Sequence, residues 1–113
     1  MIVAVTGASG FIGSVLLEKL LARGDTVRVL TRQADARWPA GVLQHVTDLE
    51  DIAALTAITA FCDGDDVLFH CAGDYRDESR MAALHVRGTQ HLLQAAQGRI
   101  GRWVQLSSVG AYG

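Results

Sequence analysis

Three glycines set three residues apart, Gly7, Gly10 and Gly13, carry the clearest chemical signal in this chain. They lie in Thr6-Gly7-Ala8-Ser9-Gly10-Phe11-Ile12-Gly13, directly after the apolar run Ile2–Thr6 and directly before a stretch with helical periodicity. A buried strand, a glycine turn and a helix start are the context in which a turn binds a diphosphate. Gly7 permits the tight exit from the strand. Gly10 lets backbone N–H groups approach the anion with no side chain between them, and Gly13 lets the helix sit close against the sheet. The helix N-terminus adds unpaired N–H groups and the positive end of its dipole. The competing reading is a tight strand–helix turn with no ligand. Against it, three glycines at a helix start weaken the helix for no structural gain.

Other groups with chemical potential are sparse. Cys62 and Cys71 form neither a disulfide framework nor a metal pattern, which fits a reducing compartment, and a cytoplasmic setting is expected. The Cys71 side chain reads as a small core residue rather than a nucleophile. His45, His70 and His91 show no i,i+4 pairing, so no metal is expected. The acidic segment 63–66 reads as a turn without the glycine and glutamate positions of a calcium loop. Tyr75 and Arg76 lie in a segment, 74–79, that either touches a substrate or forms a solvated loop.

The elements that must position the glycine turn follow from composition and pattern. With 113 residues, 50% hydrophobic and 19% charged, the chain makes one domain and is no disordered tail. A net charge of −2 offers no basic field for nucleic acid or anionic lipid. Its apolar runs fall short of the roughly 20 residues of a membrane span. No basic region precedes the first apolar run, so a signal peptide is not expected. Strands are predicted at Ile2–Thr6, Thr26–Thr31, 41–46, Val67–His70 and 103–106. A helix is predicted over 11–23, with Phe11, Ile12, Val15, Leu16 and Leu20 on one stripe and Gly24 as its cap. A second helix is predicted over 49–61, capped by Asp48, and a long one over 80–97, anchored by Met81, Leu84, Leu92 and Leu93 and closed by Gly98. This alternation predicts a doubly wound parallel α/β sheet of order 3-2-1-4-5. No helix or sixth strand follows strand five, so the chain reads as the front portion of a longer protein or as one that pairs with itself.

The turn is G-x-x-G-x-x-G rather than the common G-x-G-x-x-G. Further features follow in order: Thr31-Arg32, Asp48-Leu49, His70-Cys71-Ala72-Gly73, His85-Val86-Arg87-Gly88-Thr89 and the segment 107–113. With this ordered set the whole chain resembles the short-chain dehydrogenase/reductase superfamily. It resembles most closely the extended branch, the NAD(P)-dependent epimerase/dehydratase family. The resemblance implies a Rossmann-like fold, truncated after strand five, and a nicotinamide dinucleotide as cofactor. It places Gly7, Ser9, Gly10, Phe11, Ile12 and Gly13 at the cofactor turn. Asp48 and Leu49 fall beside the adenine, although Asp48 is equally a plain helix cap. Cys71, Ala72 and Gly73 fall where the family passes its backbone close to the nicotinamide ribose.

In such a site a carboxylate at the end of strand two selects NAD, and an arginine selects NADP by its 2′-phosphate. Here Thr31 and Arg32 stand there, with Arg28 one strand-face away, Arg37 further on and no acid at the strand end. NADP is therefore expected over NAD, the alternative being an exposed charge at a strand terminus.

The family's chemistry uses a Tyr-x-x-x-Lys pair, in which the lysine lowers the tyrosine pKa, helped by a serine. Ser108 matches that serine, or is simply a polar residue ending a strand. The sole lysine is Lys19, and neither Tyr75 nor Tyr112 stands in such a pair. His85 replaces the family's usual asparagine. The expectation is a cofactor domain of an epimerase/dehydratase or reductase acting on a nucleotide-sugar or similar small hydroxyl or carbonyl substrate. Its alternative is a non-catalytic or partner-completed NAD(P)-binding module. The resemblance also implies a homodimer through the 80–97 helix.

Overall fold

Five short strands form the sheet: β1 (Ile2–Thr6), β2 (Thr26–Thr31), β3 (Val42–Val46), β4 (Val67–His70) and β5 (Arg102–Gln105). Three helices accompany them: α1 (Phe11–Ala22), α2 (Leu55–Cys62) and α3 (Thr89–Ala96). This computed structural model describes residues 1–8, 11–31, 37–47, 55–71 and 88–105, without the Phe11 side chain. All pairings are parallel and the order is β3-β2-β1-β4-β5, as the alternation predicts. β3 and β5 each differ by one residue from expectation. Residues 49–54 and 80–87, the first parts of two expected helices, lie outside the described residues, with Met81 and Leu84 among them. No described helix is long and apolar enough to cross a membrane.

Strand side chains alternate between the two faces, and each face has its own core. On one face Val3, Val5, Val27 and Val29 pack against Leu17 and Leu20 of α1. On the other, Ala4, Leu30 and Leu68 meet Ile58 and Phe61 of α2 and Leu92 and Ala95 of α3. Phe61, Ile58 and Leu68 are wholly buried, and each such side chain contributes about 1.5–3 kcal/mol by leaving water.

Two expected apolar anchors turn outward. Ile12 and Val15 are 55% and 42% exposed, whereas Leu17, absent from the expected stripe, is buried. α1 is apolar nearly all round, so its pattern does not choose a face. The close approach of Gly13 to the sheet chooses it, and brings Leu17 and Leu20 inward. In α3, Leu92 is buried and its neighbour Leu93 is 49% exposed, since successive helical residues point about 100° apart.

Arg28, one strand-face away from the end of β2, is engaged within the fold. Its Nη1 donates to the Asp63 carbonyl at 2.7 Å and to Asp65 Oδ1 at 3.1 Å. Asp65 stands two residues before β4, so this bond draws the guanidinium toward the amino-terminal end of the sheet and away from the edge where a cofactor would lie. Burial pushes the Asp65 carboxyl up to about 7 despite the opposing pull of Arg28.

Candidate functional site

The chain leaves β1 toward β2 and β3 on one side and returns to β4 on the other. Between the carboxyl ends of β1 and β4 the order reverses, and a crevice opens there in sheets of this kind. β1 delivers Gly7 into it with φ +68°, a left-handed conformation that glycine adopts without strain. Ala8 is buried in the α1-side core, and α1 starts at Phe11. A Cβ on Gly13 would stand 2.1 Å from the Gly7 carbonyl oxygen, 2.8 Å from its carbonyl carbon and 2.9 Å from the Ala8 Cα. The first turn of α1 is therefore seated directly on the strand exit, and only a residue without a side chain fits there. That seating aims the helix N-terminus into the crevice, the arrangement that receives an anion.

The floor of the crevice is polar and closed. Thr6 and His70 are register partners across β1 and β4, and both are buried. Thr6 Oγ1 and His70 Nδ1 share a hydrogen bond of 2.7 Å. The Cys71 N–H donates to Thr6 Oγ1 at 3.0 Å. His70 Nε2 and Thr89 Oγ1, at the start of α3, share a third bond of 3.0 Å. Trp103 of β5 lies tilted against the His70 ring at 5.7 Å. The Cys71 side chain turns to the opposite face, against the α1-side core, and burial pushes its thiol up to about 11. It borders the crevice through its backbone, not as a nucleophile. Among the described residues no group of three His, Cys, Asp or Glu is placed to hold a metal ion.

Residues 3–113 match the model of the NAD dependent epimerase/dehydratase family. The chain belongs to this family.

A protein of Mycobacterium tuberculosis is 35% identical over 109 residues, 96% of this chain and 12% of its own length. Cinnamoyl-CoA reductase 1 of Petunia hybrida is 36% identical over 122 residues, 97% of this chain and 36% of the reductase. The chain thus spans 12% to 36% of the length of these curated relatives. Among solved structures, UDP-glucose 4-epimerase of Thermotoga maritima with UDP-glucose superposes with a TM-score of 0.80 at 26% identity, covering 100% of this chain and 40% of the epimerase. WbmG of Bordetella bronchiseptica in complex with NAD gives 0.79 at 25% identity, covering 100% and 39%.

Of the residues that the epimerase/dehydratase resemblance singled out, the structure brings Gly7, Gly13 and the Cys71 backbone together at the crevice, with Ile12 exposed on the first turn of α1. Ser9, Gly10, Arg32, Asp48, Leu49, Ala72, Gly73, His85 and Ser108 lie outside the described residues, as do Tyr75 and Arg76. Sequence reasoning weighed His70 as a metal ligand and as part of the His70-Cys71-Ala72-Gly73 motif, and missed its central place in the crevice floor. The available signal was its position: His70 ends β4 as Thr6 ends β1, two polar residues closing two apolar strands.

Proposed function

We propose that this chain binds a nicotinamide dinucleotide, NADP in preference to NAD. On this reading it is the cofactor domain of an epimerase/dehydratase or reductase acting on a nucleotide-sugar or similar hydroxyl or carbonyl substrate. The observation that carries the reading is the seating of Gly13 on Gly7. It brings the start of α1 against the strand exit, where a diphosphate would meet backbone N–H groups. Family membership and the NAD-bound WbmG neighbour support the same reading.

When bound, the nicotinamide ring would supply hydride transfer. This chain's own residues would bind and orient it. The turn 7–13 would hold the diphosphate, Arg32 would grip a ribose 2′-phosphate in two prongs, and Asp48 and Leu49 would flank the adenine. The backbone of 71–73 would pass the nicotinamide ribose, and the hydroxyl of Ser108 would bond the reacting substrate oxygen. The sequence holds one lysine, Lys19, which lies in α1, so the assignment to these residues is cofactor binding rather than turnover.

Calorimetric titration of the purified chain with NADPH and with NADH tests this. Tight NADPH and weak NADH binding is the expected result. Preference for NADH would overturn the role of Arg32 and keep the cofactor site. Binding of neither would overturn the proposal.

A further inference from the structure

The bridge Thr6–His70–Thr89 joins three elements that meet nowhere near one another in sequence. Thr6 is the last residue of β1, directly before the glycine turn. His70 is the last residue of β4, and Thr89 is the first of α3. The imidazole spans the gap with both ring nitrogens, at 2.7 Å and 3.0 Å. It is 2% exposed, and the Trp103 ring lies 5.7 Å away. A neutral imidazole has one donor and one acceptor nitrogen, while each threonine hydroxyl can serve in either role. Rotation of either hydroxyl therefore imposes a matching change on the other end of the ring. Buried chains of this kind polarise one another and hold their members in one arrangement.

We propose that His70 is a positioning residue that couples the glycine turn at the end of β1 to the start of α3, so that occupation of the turn by a dinucleotide is felt at Thr89 and a change at Thr89 alters the turn. This rests on the cofactor reading above for its ligand and on the bridge for its coupling. Thr89 belongs to α3, whereas the anion would lie at the opposite end of the bridge, over Gly7 and α1.

Thr89→Val removes the hydroxyl with almost no change of volume, and Thr89→Ser returns it. Three readouts are made on the purified chain. The first is NADPH affinity by calorimetry. The second is the nitrogen frequencies of the His70 ring by NMR, with and without NADPH. The third is the amide signals of Gly7 and Ala8 without ligand. The expected result is an affinity about five- to tenfold weaker in Thr89→Val, the scale of one lost buried hydrogen bond, and restored in Thr89→Ser. NADPH should shift the His70 ring nitrogens in the wild type. The ligand-free Gly7 and Ala8 amides should move in Thr89→Val and return in Thr89→Ser. Wild-type binding with a Thr89→Val affinity equal to it, or with Thr89→Ser as weak as Thr89→Val, would overturn the coupling. An unmoved His70 ring on NADPH binding would also overturn it. If the wild type binds no dinucleotide, the cofactor reading fails, and the ligand-free amides then decide the coupling alone: movement restored by Thr89→Ser upholds it and unmoved signals overturn it.

Discussion

Gly7 and Gly13 are locked together: a single carbon added to Gly13 would lie 2.1 Å from the Gly7 carbonyl oxygen. The obstructing atoms are all backbone, so no flexible side chain can move aside. Gly13→Ala must therefore lift α1 away from β1. Overpacking of this kind typically costs about 1–3 kcal/mol. The expected outcome in urea denaturation is a loss of about 2 kcal/mol or more, with dinucleotide binding abolished. A wild-type midpoint would show that the seating is looser than described.

Asp65 gives the protein a pH signature. Its folded-state pKa is raised from an ordinary 3.8 to about 7, chiefly by burial. The native state thus holds a proton that the unfolded chain releases. The stabilisation from this group is full below about 3.8 and is lost as pH rises through about 7. Asp65→Asn imitates the protonated form and keeps an acceptor for Arg28. Between pH 5 and 8 the wild type should lose stability relative to Asp65→Asn, read as diverging urea midpoints. Parallel midpoints across that range would contradict this.

The two thiols should be inert in the folded protein. Burial pushes Cys71 up to about 11, and burial with the nearby Asp65 charge pushes Cys62 up to about 12. Only a thiolate attacks an alkylating reagent. At pH 8 iodoacetamide should label native protein slowly at both positions and unfolded protein rapidly. Fast native labelling of Cys71 would mean that its side chain opens to solvent.

The proposed NADP preference sets different expectations for the two arginines of the β2 region. Arg28 is engaged with Asp63 and Asp65 and is not placed to reach a cofactor phosphate. Arg28→Ala should therefore leave the ratio of NADPH to NADH affinity unchanged while destabilising the fold, because it removes the hydrogen-bond partner of the buried Asp65 side chain. Arg32→Asp should lower that ratio by roughly tenfold or more, since it replaces charge-assisted bonds with repulsion. An unchanged ratio in Arg32→Asp would remove Arg32 as the selector.

The elements that sequence reading placed best are those whose information is local. β1, β2 and β4 are short runs dominated by apolar and β-branched residues, and their bounds agree with expectation. The glycine turn was legible because its spacing and its place between strand and helix lie within 13 residues. α1 was harder: Ile12, Val15, Leu16, Leu17, Leu20 and Leu21 surround its axis, so periodicity alone does not single out Leu17 over Ile12.

The sequence by itself determined the alternation of strands and helices, the parallel order that follows from it, and a glycine-spaced turn between β1 and α1. Each of these depends on residues that are neighbours along the chain. Only the tertiary structure decided that Arg28 turns to Asp65, that Gly13 rests on Gly7 tightly enough to choose the inward face of α1, and that His70 joins Thr6 to Thr89. Thr6 and His70 are partners by strand register, and Arg28 of β2 meets Asp65 from the turn before β4, both across long stretches of chain. Register fixes which side chains share a face and at what height, and no local pattern contains that distance.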